Sequence, residues 1–318
     1  MSADYLEDNG VRYRAVPDWG NLPAGWTYKE VSGVAVDSAD NVYVLTRGEH
    51  PVIVFDSDGN FVRSWGEGVF EGPHGIAIGQ DDSVYVVDSW DHTVRRFTPH
   101  GDLLMTIGTP GTPAAFDGGE PFNKPTHVAI DPSTGDLFVS DGYANSRIHR
   151  FTSDGRHVAS WGSSGSDPGQ FIVPHNLVYH EGRLYVADRE NNRIQVFDGN
   201  GAFIEQWNDM YRVSCLATTV LNGSPSLLVG EFCSELWYLK QFPNLGNRLT
   251  FFSMNGDRLA RLGAPNGGEG PDQFLAPHGV AVDTKGTIYL GEASWSLVGS
   301  RMEPPKELRT LTVLKRIQ

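Results

Sequence analysis

Apolar and polar residues alternate along this 318-residue chain in short bursts, and the bursts recur in sets. Each set opens on an alternating stretch: "VSGVAV" from Val31, "PHGIAI" from Pro73, "PTHVAI" from Pro125, "PHNLVY" from Pro174, "PHGVAV" from Pro277, and a weaker "VSCLAT" from Val213. An Asp/Gly turn then leads to a second apolar run such as "VYVVD" or "LYVAD". A third follows, such as "TVRRF" or "RIQVF", and "DGNF" or "SDGR" turns into "VRSWG" or "VASWG". Period-two alternation over so few residues, bounded by turn formers, marks half-buried β-strands. The openings at 31, 73, 125, 174, 213 and 277 lie 42, 52, 49, 39 and 64 residues apart, so the fifth unit carries an insertion. Four short antiparallel strands in each of six such units predict an all-β fold, a six-bladed β-propeller over residues 25–318 forming one domain. "LTVLKR" supplies the third strand of the last unit. Residues 1–24 are read as an N-terminal extension whose "VRYRAVPDW" can add a ring-closing strand.

Composition narrows the function classes. Glycine at 37 and proline at 19 suit tight turns between short strands. A net charge of -14, with the 25 basic residues dispersed, repels a phosphate backbone, so no nucleic-acid partner is expected. The N-terminus lacks the positive-then-apolar pattern of a signal peptide and no apolar run matches a bilayer, which predicts a cytoplasmic protein without a membrane partner. Cys215 and Cys233 are too few for a disulfide framework and sit in no metal-ligand spacing, so both are expected as buried free thiols.

The second position of the opening motif reads, unit by unit, Ser32, His74, Thr126, His175, Ser214, His278. In a propeller the first strand of each blade lines the central channel, so this position forms a ring with histidine in every second blade. Three neutral imidazoles converging on one axis suit zinc (Zn2+) at about 2.0–2.1 Å and leave a fourth tetrahedral position open, the arrangement of a catalytic metal. A lone histidine is more often a core or surface residue, and the other seven are assigned so. His127, one position later in its motif, is turned to the opposite face by strand alternation. The carboxylates that end the second strands, Asp88, Asp141, Asp188, Glu231 and Glu292, are expected to brace the turns that follow them. Other units carry a carboxylate and then a neutral residue there. The first departs with Arg47 in "LTRGEH", and the third carries Tyr143 in "SDGYANSRI". An arginine offers planar anion recognition, and a tyrosine beside a cation can serve as a base.

The combination of "VSGVAVDSADNVYVLTRGEH", "PHGIAI", "SDGYANSRIHRF", "FIVPHNLVY", "LYVADRENNRIQVF" and "APHGVAVDTKGTIYLGEA" resembles the NHL-repeat catalytic core of peptidyl-α-hydroxyglycine α-amidating lyase. The likeness runs from about residue 17 through the fourth unit and resumes in the sixth. It implies a zinc held by His74, His175 and His278, with Arg47 and Tyr143 in the family's catalytic arginine and tyrosine positions. The implied reaction splits a carbinolamide into an amide and glyoxylate, with no redox cofactor. Departures temper the carry-over. The methionine before the third Pro-His is Ala276, and the cysteine beside the tyrosine is Ala144. The acidic residue after the third histidine, associated with a structural calcium (Ca2+), is Gly279, so calcium is implied less firmly than zinc. The expected function is therefore a zinc-dependent carbon–nitrogen lyase acting on a small-molecule or short peptide-amide carbinolamide. Two alternatives stay open: a zinc-dependent hydratase or hydrolase on the same site, and a non-catalytic NHL interaction scaffold.

Overall fold

The structure, a computed structural model, describes residues 5–236, 238–239, 242 and 245–317. Its secondary structure is almost entirely strand, gathered among the described residues into six antiparallel sheets, the blades of a six-bladed β-propeller. No helix of the described residues is long and apolar enough to cross a membrane. The chain divides into two compact units, Trp65–Val213 on one hand and Met1–Ser64 with Ser214–Gln318 on the other.

The unit from Trp65 to Val213 holds blades two, three and four. Blade two runs Pro73–Ile78, Val84–Asp88, Thr93–Phe97, Leu103–Ile107; blade three His127–Ile130, Leu137–Asp141, Arg147–Phe151, His157–Trp161. Blade four runs Pro174–His180, Arg183–Asp188, Arg193–Asp198, Phe203–Trp207. The alternation sends one side-chain set from each sheet into the space between blades. Val87, Phe122, Val139 and Phe151 fill one such core, and Phe138, Ile148, Leu177 and Phe197 the next.

The other unit holds blades one, five and six. Blade one comprises Val31–Val36, Val42–Thr46, Val52–Phe55 and Phe61–Trp65. Blade five comprises Val213–Leu221, Ser224–Glu231, Arg248–Ser253 and Arg258–Leu262. In blade six, Pro277–Val282, Ile288–Glu292 and Leu311–Arg316 pair in turn, and Val11–Ala15 pairs antiparallel with Leu311–Arg316, Tyr13 opposite Arg316. Leu6–Asp8 folds back on Val11–Ala15 as a fifth strand. Tyr13 lies stacked on Phe251 inside this unit's core, which is what ties the N-terminal strand down.

Register matters most where the first strands begin. Pro73 pairs with Asp88 and Gly75 with Val87, so His74 is the extra residue of a β-bulge. His175 is the extra residue between Pro174 and Asn176, and His278 between Pro277 and Gly279. A bulge leaves one residue out of the ladder and re-aims its side chain, a device common beside active sites.

Candidate functional site

Within residues 65–213 the bulges bring two histidines together. His74 and His175 have ring centroids 4.8 Å apart, and both are buried. The Nδ1 of His74 donates to the backbone carbonyl of Thr126 at 2.7 Å. That bond fixes the tautomer, so Nε2 carries the lone pair. Between the two rings stands the hydroxyl of Tyr143, 2.8 Å from His74 Nε2 and 3.1 Å from His175 Nε2. The two Nε2 atoms thus converge on one hydroxyl, each within hydrogen-bond distance of it. Imidazole nitrogens converging in this way are donors of the kind that can hold a divalent metal ion.

The small hydroxyl residues that alternate with histidine are explained by the same hydrogen bonds. Thr126 offers its carbonyl to the preceding blade's His74 and donates its hydroxyl to the carbonyl of Pro174, 2.8 Å away in the next blade. A bulkier residue there would separate the strands it joins. The second-strand carboxylates grip the entry to the first strand. Buried Asp88 accepts from the backbone N–H of Glu71 at 2.7 Å and Gly72 at 2.9 Å, and from those of Trp90 and Asp91 beyond it. Asp141 accepts from the N–H of Asn123 and Asp188 from that of Ile172. The expected bracing is thus present in both directions, with the Pro-His entry as its main target.

In the other unit His278 repeats the pattern. It is buried, its Nδ1 donates to the carbonyl of Ser32 at 2.7 Å, and Glu292 accepts from the N–H of Leu275 at 2.6 Å. Ser214 donates to the carbonyl of Pro277 at 2.5 Å, as Thr126 does to Pro174. His278 therefore presents the same tautomer in the same bulge as His74. Arg47 lies in this unit too. Its guanidinium pairs with the carboxylate of Glu30, which is 1% exposed and also accepts from the N–H of Ser296 at 2.6 Å. Arg47 is anchored on this carboxylate before any ligand arrives.

One residue that the repeat comparison passed over stands against Tyr143. Arg189 places its guanidinium carbon 5.4 Å from the centre of the Tyr143 ring and its Nη1 3.5 Å from the hydroxyl. Its Nε donates to Glu190 at 2.8 Å. The expectation that every unit but the first has a neutral residue after the second-strand carboxylate is corrected here. Thr46 pairs with Val31 as Asp188 pairs with Pro174, so Arg47 and Arg189 occupy the same repeat position in blades one and four. "ADRE" carried that signal in the sequence. Tyr143, two past Asp141, matches Trp90, two past Asp88, in the same way.

The NHL repeat family matches residues 70–97, 122–151 and 171–197. NHL repeat-containing protein 3 of Homo sapiens is 30% identical over 89% of this chain and 82% of that protein. Peptidyl-glycine alpha-amidating monooxygenase B of Xenopus laevis is 32% identical over 90% of this chain and 35% of its own length. Peptidyl-alpha-hydroxyglycine alpha-amidating lyase 1 of Drosophila melanogaster is 33% identical over 60% of this chain and 37% of that protein. The chain thus spans about a third of the length of the amidating relatives it matches. Among solved structures, virginiamycin B lyase from Staphylococcus aureus superposes with a TM-score of 0.60 at 13% identity, over 96% of this chain and 100% of that one, a likeness of fold.

Proposed function

The chain belongs to the NHL-repeat proteins, the family of NHL repeat-containing protein 3, and we propose that within it this chain is a zinc-dependent carbon–nitrogen lyase. Its substrates are N-acyl-α-hydroxyglycines, carbinolamides of the peptidyl-α-hydroxyglycine type, and its products an amide and glyoxylate. The observation that carries this reading is the Tyr143 hydroxyl held between the Nε2 atoms of His74 and His175. A scaffold has no use for a phenol wedged between two buried imidazoles, one of them fixed in its tautomer. Likeness to a protein named as an amidating lyase supports the same class.

His74, His175 and His278 are proposed as the metal ligands, each at the bulged second position of its blade. A zinc ion there supplies Lewis acidity toward a hydroxyl oxygen. The remaining work belongs to the chain. The Nδ1–H bonds to Thr126 and Ser32 hold the His74 and His278 rings in the ligating tautomer. Tyr143 Oη, as the phenolate, accepts the proton of the substrate hydroxyl as the C–O bond becomes a carbonyl and the C–N bond breaks. The same proton passes to the departing amide nitrogen, so R–CO–NH–CH(OH)–COO⁻ gives R–CO–NH₂ and OHC–COO⁻ with atoms and charge balanced. Arg189 and Arg47, planar cations at one repeat position, are proposed to receive the substrate carboxylate.

Incubating the zinc-loaded protein with N-benzoyl-α-hydroxyglycine tests this. Benzamide and glyoxylate in equal amounts are expected, with both metal content and turnover lost in His175→Ala. Release of benzoate instead would replace the lyase with a hydrolase. A zinc-replete protein that leaves the compound intact would overturn the enzyme assignment for this substrate class.

A further inference from the structure

Two large aromatic side chains lie open to solvent on loops of the Trp65–Val213 unit: Trp90 is 69% exposed and Phe116 80%. Neither belongs to a core or to the proposed chemistry, and both are tied to it through short, defined connections. Trp90 lies over Gly72, so close that a Cβ on that glycine would sit 2.5 Å from the indole Cγ. Gly72 is two residues before His74. The N–H of Trp90 is itself held by Asp88, the carboxylate that also fixes Gly72. The indole is therefore stacked on the backbone that delivers His74, at the repeat position that holds Tyr143 in the following blade.

Phe116 lies on a segment tied at both ends to residues beside the site. It sits in the segment 109–121, whose start is pinned by the N–H of Gly111 to Asp91, the neighbour of Trp90. The end of the segment is pinned by the N–H of Asp117 to the carbonyl of Ala144, the neighbour of Tyr143, at 2.8 Å. Gly119 N–H on Asn145 and Arg147 on Asp117 add two further ties. One strap thus links the residue after Trp90 to the residue after Tyr143 and carries Phe116 along it. Exposed aromatics on loops anchored to the residues beside Tyr143 and His74 can serve as a binding wall for an apolar ligand group.

We propose that Trp90 and Phe116 form the seat for the substrate's N-acyl group, and that this chain selects large, aromatic acyl groups over small ones. The inference rests on the lyase reading, because it assigns the free end of the proposed carbinolamide. The carboxylate end is claimed by the arginines and the carbinol by Tyr143 and the histidines. What remains of such a substrate is its acyl portion, and the unassigned surface tied to the site is aromatic.

The test compares kcat/KM for N-benzoyl- and N-acetyl-α-hydroxyglycine in the wild type, Trp90→Ala and Phe116→Ala, with zinc content and Tm measured for each. The wild type should favour the benzoyl compound by roughly 10–200-fold, the span a hydrophobic pocket supplies. Each alanine variant should lose about tenfold on the benzoyl compound and little on the acetyl one, with zinc content unchanged. Equal kcat/KM for both substrates in the wild type, or equal losses on both in the variants, would overturn the proposal. Calorimetric titration with the unreactive N-benzoylglycine and N-acetylglycine separates the two readings. If neither carbinolamide turns over but N-benzoylglycine binds in a Trp90-dependent way, the lyase reading falls and the aromatic seat stands. If neither glycine binds while turnover shows no acyl preference, the seat falls and the lyase stands. Concentration-dependent self-association abolished by Trp90→Ala would assign the aromatic pair to a second copy of the chain and also overturn the proposal.

Discussion

At the residue scale the centre of the site is one oxygen. Tyr143 Oη lies within 3.1 Å of both His74 Nε2 and His175 Nε2, while the His74 ring is held from behind by the Thr126 carbonyl, so Tyr143→Phe removes the proton acceptor and is expected to leave the imidazoles in place. kcat should fall by roughly 10²–10⁴-fold, the range of a lost general base, with zinc content measured by mass spectrometry unchanged. Turnover near wild type in a zinc-replete Tyr143→Phe protein would leave proton transfer to another group. Arg189 invites a second experiment. Lysine keeps the charge but loses the planar face that lies on the Tyr143 ring and the fork that meets a carboxylate. Arg189→Lys should raise KM about tenfold for a carboxylate-bearing carbinolamide and leave a neutral one unchanged; equal losses on both would make it a positioning residue for Tyr143. The histidines stood out in the sequence because they recur at one position in alternate units, and Tyr143 because it departs from its repeat. Arg189 did not, because its equivalence to Arg47 lies in the ladder register that pairs Thr46 with Val31 and Asp188 with Pro174. Glu30 left no mark at all: its partnership with Arg47 is a contact between a strand entry and a strand exit 17 residues apart.

At the element scale, each Pro-His strand is set by a bulge and clamped by a carboxylate from the strand beside it. The sequence showed that carboxylates recur at the end of second strands, and hydrogen bonds to the following turn were expected from the residues next to them. The larger part of their work, on the N–H groups that precede the first strand, depends on which residues face each other across the ladder, and that register lies in the pairing of Pro73 with Asp88 rather than in either segment alone. The clamp has a measurable cost of removal. In Asp88→Ala the N–H groups of Glu71, Gly72, Trp90 and Asp91 lose their acceptor in a largely buried setting. At about 1–3 kcal/mol for each buried donor left unpaired, with water reaching some of them, a loss of about 3 kcal/mol or more in urea unfolding is expected. Asp88→Asn keeps one carbonyl oxygen and should lose less than half of that. Equal stability in the alanine and asparagine variants would show that packing, not these bonds, holds the strand entry.

At the scale of the whole molecule the six-fold pattern was the most legible feature, since a repeat writes its strands, turns and core positions six times over and averages out local exceptions. The stability of the chain as a whole carries one titration that the pattern did not reveal. His127 was set aside as facing away from the ring, and its imidazole packs beneath the blade-two strand, where a Cβ on Gly75 would lie 2.8 Å from its Cδ2. Its Nδ1 is shut off from solvent with no hydrogen-bond partner among the described residues. Burial disfavours the charged ring and pushes its pKa down to about 4, against about 6.5 in an unfolded chain. A depressed folded pKa gives stability that is complete above about pH 6.5 and is lost as pH falls toward about 4, because the unfolded chain takes up a proton that the native state refuses. Asp188 and Glu292 work in the opposite direction: burial raises their pKa, so the fold gains from them as pH falls. Comparing the wild type with His127→Gln cancels what those carboxyls contribute to both. The stability advantage of the wild type, measured by urea unfolding, should shrink by about 2 kcal/mol between pH 7.5 and pH 4.5, somewhat less than the full shift implies because part of the residue still meets solvent. A difference between the two proteins that stays constant over that range would mean that His127 is protonated as readily in the fold as outside it.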